Sequence, residues 1–207
     1  MKPEYSQSMR RAALALALGV VAATVVGSAL AADRRHVVTG QGISLTVPAS
    51  WVATERGVSP AVLDQMAREN PKLAPFVRGL GGPNSPMKFI ALDPTVRQGF
   101  ATNVNVVVVP APAGITFAQY KQALVAELRS IVTGKIEQSV ATVGGAQALR
   151  ASYRLRISLG RTVTVQTLQY AFLRPGRSIV VTYTTLPGLK GSYAATFRRS
   201  AASIRLS

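Results

Sequence analysis

Leu149-Arg150-Ala151-Ser152-Tyr153-Arg154-Leu155-Arg156-Ile157-Ser158 alternates apolar and polar residues without a break. A strand turns successive side chains to opposite faces, so this stretch reads as a strand with one dry face and one charged face. Its surroundings have the same character. Ile136 to Val143 ends at Gly144-Gly145, Ala146 to Leu159 at Gly160, and Arg161 to Leu173 at Pro175-Gly176, after which Ser178 to Thr185 follows. Turns this short join antiparallel neighbours, so the region reads as a meander of four strands. In its third strand Val163 and Val165 share one parity, while Leu168, Tyr170 and Phe172 share the other. Either a bulge near Gln166 shifts the register, or both faces of this strand are covered.

Immediately upstream, Thr116 and Gln119 have capping-box spacing and Ile115 and Tyr120 occupy the staple positions. The helix they start carries one stripe of Phe117, Tyr120, Leu124, Leu128 and Ile131, with Gly134 just beyond its end. Before it, Met87 to Asp93 and Asn103 to Val109 read as strands, and Pro110 to Gly114 as a break. Ser59-Pro60 opens a helix through Val62, Leu63 and Met66, and Asn70-Pro71 a second through Leu73, Phe76, Val77 and Leu80, stopped by Gly79, Gly81 and Gly82. Ile43 to Val47 is a half-buried strand ended by Pro48, and Ser192 caps a final helix with the stripe Tyr193, Phe197, Ala201 and Ile204. The expected class is α+β, a single antiparallel β-sheet with helices packed on it.

The N-terminus is read differently. Met1 to Arg11 is polar and ends in two arginines, Ala12 to Val26 is apolar apart from Gly19 and Thr24, and Ala29 and Ala31 have the spacing that signal peptidase accepts. Residues 1–31 therefore read as a signal peptide, the alternative being an N-terminal membrane anchor, since Ala12 to Ala32 is long enough to span. Residues 32–41 are a flexible lead-in and 42–207 a single domain. The expected location is extracytoplasmic, either secreted or in the cell envelope.

Gly42-Ile43-Ser44-Leu45-Thr46-Val47-Pro48-Ala49-Ser50-Trp51 runs a strand into a Pro-x-x-Trp corner. In this it resembles the opening of the PsbP/Mog1-like α/β/α sandwich proteins. The later order, an amphipathic helix, four strands and a closing helix with an aromatic under the sheet, is similar too, so the resemblance spans about residues 40–206. It implies a binding or accessory module whose function lies in loops and faces, and it brings no catalytic residue with it. Secreted members of the LpqN type carry a lipidated cysteine. This chain has no cysteine, so a lipid anchor does not carry over. The helical segment between the first two strands is also longer than the minimal pattern.

The absence of cysteine excludes disulfides, thiol catalysis and thiolate metal sites. His36 is the sole histidine, so any Ser-His-Asp site would need it, yet Arg34-Arg35-His36 lies in the expected lead-in. Asp64, Glu69, Glu127 and Glu137 read as exposed positions. Glu55 and Asp93, in or beside loops, are the carboxylates that a small hydrolase-like enzyme would use, which is the alternative to a non-catalytic domain. The glycines form no phosphate cradle, the aromatics have core spacing, and neither a cofactor nor a metal is implied.

Charge is what exceeds a generic domain. The chain has 24 Lys and Arg against 8 Asp and Glu, a formal charge of +16, with 48 % hydrophobic residues that exclude a disordered chain. Residues 1–31 hold Lys2, Arg10, Arg11 and Glu4, so their removal leaves +14. Basic residues are scattered and lack a base-stacking motif, which argues against nucleic acid. Arg150, Arg154 and Arg156 share one strand face and are the candidate contact to an anionic envelope surface, with peripheral membrane contact included, or to an acidic protein partner.

Overall fold

The structure is a computed structural model and describes residues 33–54, 86–132, 134–158 and 162–207. The expected signal segment, the two helices of residues 59–80 and Glu55 lie outside the described residues. In chain order the elements are β1 (Asp33–Val38), β2 (Ile43–Pro48), β3 (Val52–Thr54), β4 (Met87–Arg97), β5 (Phe100–Pro110), α1 (Phe117–Ile131), β6 (Glu137–Val143), β7 (Ala146–Ser158), β8 (Thr162–Arg174), β9 (Arg177–Thr185), a 3-10 turn (Pro187–Leu189), α2 (Lys190–Ala202) and β10 (Arg205–Leu206).

The meander forms as read, with β6 to β9 as consecutive antiparallel neighbours. It continues through β5, β4 and β3 into a seven-stranded sheet of order β3-β4-β5-β9-β8-β7-β6. β8 pairs with β7 without a register shift from Thr162 to Phe172, so no bulge lies at Gln166. Both faces are covered instead. On the first face, Val107, Val180, Val165, Leu149, Tyr153 and Leu155 pack with Tyr120, Leu124 and Leu128 of α1. On the second, Phe89, Val104, Tyr170, Phe172, Val181 and Tyr183 pack with Leu45, Trp51, Phe197 and Ile204.

The single-sheet expectation needs correcting: β1, β2 and β10 form a second, three-stranded antiparallel sheet. The expected flexible lead-in supplies its outer strand. Of Asp33–Val38 only Val38 is buried, so no hydrophobic pattern announces the strand. It is held by its ladder to β2 and by Arg35 Nη2, which donates to Ser44 Oγ at 2.6 Å.

The start of α1 follows its sequence signature. Gln119 N donates to Thr116 Oγ1 and Thr116 N to Gln119 Oε1, so each end of the box satisfies an orphan N–H. Tyr120, Leu124 and Leu128 are fully buried, and the Tyr120 hydroxyl lies 2.5 Å from Ser178 Oγ on β9. The start of α2 differs from expectation. The 3-10 turn begins at Pro187 and runs straight into the helix, so Ser192 falls inside the first turn and the N-cap, Leu189, has no side-chain cap. The Pro-x-x-Trp corner is a tight turn, with Trp51 N donating to Pro48 O at 2.9 Å.

Candidate functional site

β7 sends Leu149, Tyr153 and Leu155 into the first core, so Arg150, Arg154 and Arg156 emerge together on the second face. That face is dry at Ala148, which is fully buried, and opens along the strand: Arg150 is half-buried, Arg154 and Arg156 are exposed. Gln166, opposite Arg154 on β8, is clamped by donating from Nε2 to Ser152 Oγ at 3.1 Å and to Tyr153 O at 3.0 Å. Its Oε1 then accepts from Arg154 Nε at 3.4 Å. Glu137 stands opposite Ser152 in the register and is thus the diagonal neighbour of Arg150 and Arg154, yet among the described residues none of the three arginines forms an ion pair.

A cleft of about 850 Å³ opens at the same end of the sheet, lined by Val96 to Gln98, Thr162 to Thr164 and Leu186 to Leu189. Thr164 is the register partner of Arg156, which places that arginine at the margin of the cleft, and Arg97 lines it directly. The cleft was not foreseen, because it is assembled from three segments distant in sequence.

Glu55 lies outside the described residues, so of the two expected carboxylates the structure describes Asp93 alone. Asp93 lies within β4, where the register shifts between Leu92 and Val96, and not in a loop. Its Oδ1 accepts from Thr95 N at 2.8 Å and its Oδ2 from the Tyr193 hydroxyl at 2.5 Å, so both oxygens serve local structure. Burial, together with the hydrogen bond to the charged Asp93, pushes the Tyr193 phenol up to about 12. His36 lies on an ordered strand, opposite Leu45, with its ring 5.2 Å from that of Phe89. Among the described residues no three His, Asp or Glu side chains gather as a metal site.

The first face holds something its sequence conceals. Asn103 and Asn105 alternate with Val104 and Val106, and both asparagines are fully buried. Opposite them on β9 lie Thr184 and Thr182, and beyond those on β8 lie Thr167 and Gln169, all at most 1 % exposed. An amide and hydroxyl band therefore crosses three central strands.

No protein-family model matches the chain. No curated protein matches it either. Among solved structures it is similar to the cyanobacterial PsbP protein (CyanoP) of Synechocystis, with 13 % identity over 89 % of this chain and 98 % of that one and a TM-score of 0.53. It is equally similar to LpqN of Mycobacterium tuberculosis, a protein involved in cell envelope biogenesis, with 14 % identity over 84 % of this chain, 91 % of that one and a TM-score of 0.53. At such identities the likeness concerns the fold, and the chain has the PsbP/Mog1-like fold.

Proposed function

We propose that this is an exported, non-catalytic accessory domain of the cell envelope that docks through Arg150, Arg154 and Arg156 onto an anionic lipid or polymer. The reading rests on Arg154 and Arg156, two exposed guanidinium groups one pleat apart, roughly 6–7 Å, with no ion pair among the described residues. Like charges so placed repel in the free protein, and a bound polyanion relieves that repulsion. The charge of +14 left after residues 1–31 are removed, Arg97 in the adjoining cleft and the envelope role of the similar LpqN support the same reading. Among the described residues no helix is long and apolar enough to cross a membrane. The hydrolase alternative loses support because Asp93 is engaged by Thr95 and Tyr193.

Co-sedimentation of residues 32–207 with anionic and neutral vesicles across a salt series tests the proposal. Binding is expected to require the anionic lipid and to weaken as salt shortens the screening length. A triple Arg150, Arg154, Arg156→Gln variant that sediments like the wild type would remove this face from consideration.

A further inference from the structure

β8 extends past the end of β9, and the register gives the reason. The ladder between them ends at Gln166 and Thr185, while β8 begins at Thr162 and is paired there with β7 alone. Two steps further along the same register, the residue opposite Thr164 would be Pro187. Bonded and open pairs alternate along an antiparallel ladder, and Arg174 with Arg177, flanking the two-residue turn Pro175-Gly176, is a bonded pair. Thr164 and Thr162 share the parity of Arg174, so their N–H and C=O groups turn toward the place β9 has left. A proline opposite Thr164 has no N–H to offer. The chain bends instead into the 3-10 turn Pro187–Leu189, where Leu189 N donates to Leu186 O at 2.9 Å.

The gap this leaves is the cleft of about 850 Å³, a volume in the range of ligand sites. Val96, Val163, Leu186 and Leu189 give it apolar walls, and among its described lining residues the one charge is Arg97. Arg156, exposed and opposite Thr164 on β7, adds a second cation at the margin. From Thr162 to Thr164 the open edge repeats its main-chain donor and acceptor at about 7 Å, a spacing that an extended peptide backbone matches. A compact phosphate headgroup would engage the cations and leave that edge unused. Two guanidinium groups with no acidic residue in the described lining select carboxylates. We infer that the cleft receives an extended acidic peptide segment of a partner protein, added to the β8 edge in the line of β9, with its carboxylates on Arg97 and Arg156. Thr162 and Thr164 take no part in the vesicle contact proposed above, so the two readings fail separately.

The test titrates the isotope-labelled whole chain with acetyl-Val-Glu-Val-Glu-Val-Glu-amide and follows its backbone amide signals by NMR. The Thr162 and Thr164 amides are expected to move downfield and to exchange more slowly with solvent, because each N–H gains a carbonyl acceptor. A peptide with Lys in place of Glu should bind about tenfold more weakly or worse. Arg97→Gln should weaken the acidic peptide by roughly tenfold, the worth of one charge-assisted hydrogen bond. Thr164→Pro removes the N–H of the open edge and spares the ladder to β7, so it should weaken binding by a similar factor. If that variant folds poorly, the wild-type amide shifts and Arg97→Gln carry the test. Shifts at Thr162 and Thr164 produced by dihexanoylphosphatidylglycerol and not by the peptide would make the cleft a headgroup site and overturn the proposal. Peptide binding that leaves both amides in place, or that Arg97→Gln does not weaken, would overturn it as well.

Discussion

The Tyr193 hydroxyl donates to Asp93 Oδ2 at 2.5 Å, tying α2 to β4 at the edge of the second core. The Tyr193 ring stacks on Phe197 at 5.9 Å and meets Trp51 edge-on at 6.3 Å, so one residue joins the Pro-x-x-Trp corner, the closing helix and the large sheet. This bond also has a pH signature. Burial, then the Asp93 partner, raises the phenol from 10.0 to about 12 in the folded state. A raised folded value means the contribution is complete below pH 10 and is lost as pH climbs toward 12. Burial raises Tyr183 and Tyr153 in the same direction, so they add to the same alkaline loss. Denaturant melts between pH 8 and 12 should show stability falling across this window. Tyr193→Phe should lower stability by about 1 kcal/mol at pH 8 and flatten part of the fall, and an unchanged profile would mean the bond carries no linkage.

Gly144 and Gly145 form the turn between β6 and β7, both with positive φ, +59° and +78°. A methyl on Gly145 meets nothing within 4 Å, whereas one on Gly144 would stand 2.5 Å from the Ile204 carbonyl oxygen. Gly145→Ala should therefore cost only the left-handed penalty of about 1 kcal/mol. Gly144→Ala should cost clearly more, because the segment leading into β10 must move. Equal midpoints in urea would show that the chain end is not seated on this turn.

Leu124 is fully buried in the first core, while Thr116 caps the exposed end of the same helix. Leu124→Ala is expected to destabilise by about 2–5 kcal/mol through lost burial and a cavity, and Thr116→Ala by about 1 kcal/mol. Comparable, negligible effects in denaturant melts would mean that α1 contributes little to the core.

Local signals were legible where a feature is written in consecutive residues. The Thr116–Gln119 box, the four-strand meander and the Trp51 corner all formed as read, because each depends on spacing within one segment. The second sheet was not legible, since Arg34 to Val37 bury nothing and β10 is two residues long. The burial of Asn103 and Asn105 was not legible either, because it is set by what packs on the first face of the sheet and not by the residues of their own strand. The candidate arginines were legible from parity alone, but the Gln166 clamp depends on the cross-strand register of β7 and β8, which a single strand does not reveal.

Gln166 separates charge from positioning in the proposed contact. It contributes no charge, but its Oε1 accepts from Arg154 while its Nε2 is fixed by Ser152 and the Tyr153 carbonyl. Arg154→Gln removes one cation and should weaken binding to anionic vesicles by about 1 kcal/mol, roughly fivefold, with a shallower dependence on salt. Gln166→Met keeps every charge and frees the Arg154 head. It should weaken binding less and leave the salt dependence unchanged, because the number of cations facing the surface is the same. Binding isotherms at three salt concentrations distinguish the two variants. If Gln166→Met flattens the salt dependence as much as Arg154→Gln does, the arginine has been displaced from the surface altogether, and Gln166 sets its direction rather than its rigidity.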